Sequence, residues 1–126
     1  MKPIVQNLLT DLPDASVEER VEVLLSTPNS RLERIISHGQ SSPESFWYDQ
    51  SQAEWVMVLK GHARIAIEDD TKEHTLEPGD SIYLPKHCRH RVTWTDPDQP
   101  TISLALFIDT DGEDITINPV LSAPKQ

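Results

Sequence analysis

From Arg31 onward the chain is cut into short runs of strand-forming residues separated by turn formers, and this punctuation limits the folds open to it. The runs are "RLERIIS" (31–37), "SFWYD" (45–49), "EWVMVLK" (54–60), "HARIAIED" (62–69), "HTLE" (74–77), "SIYLP" (81–85), "HRVTWT" (90–95) and "TISLALFID" (101–109). Between them stand "SSPES", Gly61, "DDTKE", "EPGD" and "DPDQP", each rich in residues that bend the backbone. Strands so short and so regularly spaced predict an antiparallel sandwich or barrel. No segment repeats at a solenoid period.

Ahead of the strands, "SVEERVEVLLS" offers an N-cap Ser16 with Glu19 three residues later, and Val17, Val21, Leu24 and Leu25 at helical spacing. One short amphipathic helix is therefore expected over about 16–26. At 126 residues the chain is one domain's worth. It divides into an N-terminal segment (1–30), a β-barrel (31–110) and a Pro-bearing, loosely held tail (111–126).

Alternation along the strands assigns faces. In "EWVMVLK", Glu54, Val56 and Val58 share one side and Trp55, Met57 and Leu59 the other, so both sides are apolar and both need cover. Glu54 is the odd carboxylate on an inner face. The outer trio must be covered by the N-terminal segment or by a second copy of the chain, and a homodimer is expected.

Charge and cysteine content narrow the partners. Lys+Arg 11 against Asp+Glu 21 leaves a net charge of −10, which repels phosphate backbones and anionic lipid heads, so neither nucleic acid nor a membrane surface is an expected partner. Cys88 is the only cysteine, which excludes an intrachain disulfide and fits a reducing cytoplasm. The opening "MKPIVQNLLTDLPDAS" breaks its apolar run too early for a signal or spanning segment. The sequence reads as a soluble cytoplasmic protein.

Glu54, six residues and Gly61, followed by "GDSIYLPKHCRH" with Gly79, Pro85 and His90, resemble the two motifs of the small single-domain cupins, over roughly residues 31–109. The resemblance implies an antiparallel double-stranded β-helix, the cupin or jelly-roll barrel, here with the short N-terminal helix added. Two positions depart from the pattern. Where the first motif of the family reads His-x-His, this chain has "WYDQ", which puts Trp47 and Asp49 in the histidine positions. Where the second motif has Gly, it has His87.

What remains of the family's metal site is Glu54 and His90, and Asp49 and His87 complete a set of two oxygens and two nitrogens. Such a set suits a divalent ion, Zn, Fe, Ni or Mn. Each residue also has a plainer reading: His90 and Glu54 as a metal-free pair inside the barrel, Asp49 as a turn cap, His87 as the occupant of a strained turn. Cys88 is either a thiolate ligand or a small packed hydrophobe. His62 and His74 read as solvated. His38, Tyr48 and Tyr83 are the candidates for moving a proton.

Trp47, Tyr48 and Tyr83 are expected to line a pocket at the barrel mouth for a small-molecule ligand. Two functional classes follow from the resemblance. One is a metal-dependent isomerase, lyase or dioxygenase acting on a small oxygen-bearing metabolite. The other is a non-catalytic, metal-free binding module, and fold alone does not choose between them.

Overall fold

The computed structural model describes residues 1–110 and 115–120. Eight strands build it: β1 (Arg20–Thr27), β2 (Ser30–Ser37), β3 (Ala53–Lys60), β4 (Ala63–Ile67), β5 (Glu73–Leu76), β6 (Ser81–Leu84), β7 (His90–Thr95) and β8 (Thr101–Ile108). They form two antiparallel sheets, one ordered β1-β2-β8-β3-β6 and the other β5-β4-β7. The core lies between the sheets, where Val58, Ala63, Ile65 and Leu76 form one buried group and Val56, Ala105 and Phe107 a second. Ile82 packs against both.

The face assignment of β3 holds. Glu54, Val56 and Val58 are buried, and in register Glu54 lies between Phe107 of β8 and Leu84 of β6, so the carboxylate stands in an apolar row. Trp55 and Met57 are half-buried on the outer side.

The helix expected over 16–26 is not formed, and no helix occurs among the described residues. Most of that stretch is β1. The alternation of Val21 and Val23 about Glu22 suits a strand, and Pro28 and Asn29 close a tight hairpin in which Thr27 faces Ser30, their hydroxyls 2.7 Å apart. Isolated helices of this length are marginal, and pairing with β2 outweighs the helical spacing. A bulge at Leu24 between the paired Val23 and Leu25 shifts the register, which explains how apolar residues came to mimic a helical period.

"SFWYD" is also not a strand. It makes one isolated bridge, Tyr48 to His90, within an irregular loop that follows the edge of β7. Of the tail expected over 111–126, positions 111–114 and 121–126 lie outside the described residues, and 115–120 form no strand or helix.

Gly61 turns β3 into β4 at φ +85°, and an added Cβ would stand 2.7 Å from the Thr101 Cα and 2.9 Å from the Pro100 carbonyl oxygen. Gly79 also has a positive φ, +91°, but open space around it. Gly79→Ala should therefore cost only the backbone strain, about 1 kcal/mol. Gly61→Ala should cost well above that, because backbone atoms must move. Chemical denaturation of the two variants checks the difference, and equal losses would contradict the packing described at Gly61.

Candidate functional site

His90 opens β7 and Glu54 stands near the start of β3, so each sheet contributes one member of a pair. His90 Nε2 and Glu54 Oε1 are 3.6 Å apart, and the two residues are 6% and 8% exposed. The other ring nitrogen, Nδ1, donates to the Cys88 carbonyl at 2.8 Å, which turns Nε2 toward the carboxylate. Burial works against the charged imidazole. Glu54 and the Cys88 carbonyl outweigh it, and His90 titrates above the ordinary histidine value.

Tyr48 forms the wall over this pair. Its ring is stacked on the His90 imidazole with centroids 5.5 Å apart, and Phe46 meets it edge-on at 4.8 Å. The loop carrying Tyr48 is fixed to β7 by the backbone bonds Tyr48 N–H to His90 O (2.7 Å) and His90 N–H to Tyr48 O (3.1 Å). Burial, then the charges of Glu19 and Glu54, raise the Tyr48 phenol above its usual value.

Of the three rings expected to line the mouth, Tyr48 is the one that packs on His90. Trp47, the next residue along an extended loop, points the other way, with the Arg91 guanidinium 5.9 Å from its ring centroid. Tyr83 pairs in register with Trp55 on the outer side of the large sheet. There it lines a different cleft, of about 1090 Å³, with Leu76 of β5 and residues 116–120.

The set Asp49, Glu54, His87 and His90 is not assembled. It splits into the buried His90–Glu54 pair and an exposed pair in which His87 Nδ1 lies 2.8 Å from Asp49 Oδ1. Asp49 is further held by Arg89 at 3.8 Å, and Arg89 by Glu68 at 3.0 Å. His87 occupies the left-handed turn directly, at φ +60°, with its N–H on the Gln50 carbonyl at 2.6 Å. That conformation aims its ring at Asp49 and not at His90. Among the described residues no three His, Cys, Asp or Glu side chains come together as a metal site. A resident transition ion takes three or four protein donors. The two present at the pair do not fit one, and Cys88 offers its carbonyl there, its thiol pushed up by burial and by Asp69.

Three charged residues, Arg31, Glu33 and Glu19, were not found from sequence. Arg31, Glu33 and Ser37 alternate on the inner face of β2, since Arg31 is in register with Phe107 and Glu33 with Ala105. The Arg31 guanidinium lies 4.4 Å over the Phe107 ring and donates to Glu33 at 2.7 Å. Glu19, at the rim, turns its carboxyl to the Ser37 hydroxyl at 3.3 Å; desolvation, and then the Glu33 charge, raise its pKa. "RLERIIS" carries charges at both parities, so alternation alone could not say which went inside. His62 and His74 pair with Asp96 and Asp70 on the surface.

The cupin domain family model matches residues 33–107. This chain belongs to the cupin domain family. The solved structures it resembles include that of a Ralstonia eutropha JMP134 protein described as a candidate mannose-6-phosphate isomerase. That match has 47% identity and a TM-score of 0.83, covering 86% of this chain and 100% of that one. A cupin superfamily protein from Desulfitobacterium hafniense DCB-2 (14% identity, TM-score 0.70, 87% and 94% covered) shares the fold. So does a conserved barrel domain protein of Salinispora arenicola CNS-205 (21% identity, TM-score 0.62, 86% and 91% covered). No curated protein matches the chain.

Two stability tests follow for this cupin. His90 binds its proton more tightly folded than unfolded, so its contribution is fully present below the unfolded value of about pH 6.5 and lost as pH rises through the folded one. The melting-temperature gap between wild type and His90→Gln should be wider at pH 6 than at pH 8, and a gap that widens with pH would contradict the pairing. At the turn, His87→Gly removes an exposed pair worth about 0–1 kcal/mol and relieves a strained φ costing about 1 kcal/mol. Its melting temperature should match or exceed that of wild type.

Proposed function

We propose that this cupin binds a small hydroxyl- and carbonyl-bearing metabolite at its barrel mouth and that the His90–Glu54 pair moves a proton on it, as in an isomerisation. The observation that carries this reading is a buried imidazole and carboxylate facing each other beside Leu84 and Phe107, with the imidazole's charged form favoured. Perturbed titratable groups of this kind concentrate where proton transfer is needed. The 47% identity with a candidate sugar-phosphate isomerase supports the same class.

In such a reaction the Glu54 carboxylate takes the proton from the carbon beside the carbonyl, while His90 Nε2–H donates to the carbonyl oxygen. An enediol results. Return of that proton to the former carbonyl carbon, with His90 taking one from the hydroxyl on the adjacent carbon, makes the new carbonyl there and leaves both residues as they began. Tyr48 covers the imidazole and limits the water that reaches it. The reading routes no step through a metal, because the donors at the pair number two.

Charge selects among substrates. The chain carries −10, and Arg31 is already engaged by Glu33 and the Phe107 ring. An uncharged sugar is therefore favoured over its phosphate.

The decisive experiment incubates the protein with mannose, fructose and mannose-6-phosphate in deuterated water and follows deuterium at the carbon next to the carbonyl by NMR. Wild type should exchange the uncharged sugars, and Glu54→Gln should lose at least about 100-fold of that rate. A thermal shift by ligand without exchange would replace this reading by the binding module. Zinc, nickel, iron(II) and manganese should leave the melting temperature unchanged. One equivalent of metal bound by wild type and lost in His90→Ala would instead restore the metal-dependent class.

A further inference from the structure

Arg31, Phe107, Glu54 and Leu84 are register partners on the neighbouring strands β2, β8, β3 and β6, so their side chains form one row on the inner side of the large sheet. Glu54 meets His90 from this row, and Arg31 stands two strands away in it. Adjacent strands lie about 4.8 Å apart, which puts the Arg31 backbone roughly 10 Å from that of Glu54. The Arg31 side chain shortens that gap. Its guanidinium is turned over the ring of Phe107, the residue between them, at 4.4 Å from the centroid.

Glu33 is the next residue on that side of β2, in register with Val23 of β1 and Ala105 of β8. Its carboxylate accepts from Arg31 Nε at 2.7 Å, and its side chain is 12% exposed against 35% for that of Arg31. Glu33 and the Phe107 ring are the side chains that Arg31 meets among the described residues. A guanidinium has more N–H donors than one carboxylate can take up, even when both carboxylate oxygens accept, and each of those oxygens can accept more than one bond. The pair therefore presents donors and acceptors side by side with its charges cancelled. Adjacent hydroxyls, each a donor and an acceptor, match such a surface. A phosphate does not, because its charged oxygens meet Glu33 as well as Arg31.

We propose that Arg31 and Glu33 are the specificity-determining pair of this cupin: together they bind adjacent hydroxyls at the end of an uncharged sugar remote from its carbonyl, and Glu33 cancels the charge that would draw a phosphate there. The proposal rests on the proton-transfer reading of His90 and Glu54, since that pair fixes where the carbonyl end of the sugar lies. The shared row then supplies the spacing. With the carbonyl between His90 and Glu54, the chain of a hexose runs along the row past Phe107 toward the Arg31 guanidinium. Specificity arises as much from the carboxylate that rejects the phosphate as from the donors that accept the sugar.

NMR titration of mannose and mannose-6-phosphate into wild type, Arg31→Met and Glu33→Gln tests the pair. Wild type should bind mannose more tightly than its phosphate. Glu33→Gln leaves the guanidinium charge uncompensated and should shift the ratio of the two affinities toward the phosphate at least about tenfold. Arg31→Met keeps an apolar side chain over Phe107 but removes the donors; it should weaken mannose binding at least about tenfold with no gain for the phosphate. A purely structural role would weaken both ligands together and move neither ratio. The proposal is overturned by a Glu33→Gln ratio equal to that of wild type, by mannose binding undiminished in Arg31→Met, or by a wild type that binds neither ligand. Deuterium exchange followed in the same samples separates the two ideas. Shifted ratios without exchange support this pair and remove proton transfer alone, whereas exchange with unmoved ratios removes the pair and leaves proton transfer standing.

Discussion

The contact between Glu54 and His90 ties the two sheets together, with Glu54 standing between Phe107 and Leu84 in its own sheet. Both groups have been taken out of water, which is costly for an ion, and each makes the other tolerable. The surroundings are arranged to keep that balance. The Cys88 carbonyl fixes which nitrogen faces Glu54, the left-handed residue at 87 forms the turn that brings Cys88 round, and Tyr48 lies over the ring. Removing either partner leaves a buried charge without its counterpart, whose expected cost of about 3–5 kcal/mol is a large part of a small domain's stability.

The difference between this site and the usual cupin pattern lies in one short loop. Where two imidazoles would point inward, the chain runs Trp47-Tyr48-Asp49, and extended backbone lets only one of the three face His90. The inward position is filled by a phenol ring, which packs on an imidazole. Asp49, turned outward, finds His87 and Arg89, and a small surface network of four charged or chargeable groups results when Glu68 is included. The same scaffold thus exchanges a coordinating wall for a stacking one.

How much of this could be read from the sequence depended on whether one strand determined the answer. β3 was legible, because its inner and outer residues are both apolar and Glu54 stands out against them, and seven of the strands fell where alternation and turn residues placed them. The pairing of His90 with Glu54 was legible as one of two readings. The helix failed because β1 is stabilised by a partner strand rather than by its own spacing. The faces of β2 were not legible, because charges stand at both parities: Arg31 and Glu33 share the side of Phe107 and Ala105, while Arg34 on the other side is engaged by Glu22 and the Leu8 carbonyl. Asp49 and His87 were counted as ligands from their places in the family's two motifs, whereas φ +60° at His87 is a property of the turn.

The loop that carries Tyr48 runs along β7 at the edge of the small sheet. It is held along β7 by Tyr48 N–H to His90 O, His90 N–H to Tyr48 O, Ser42 N–H to Val92 O and Val92 N–H to the Ser42 hydroxyl. A molecule approaching His90 from this side meets that bonded loop first, so this route to the imidazole requires those bonds to open. Its rate should then vary with temperature as local unfolding does, steeply, and hardly at all with the viscosity of the solvent.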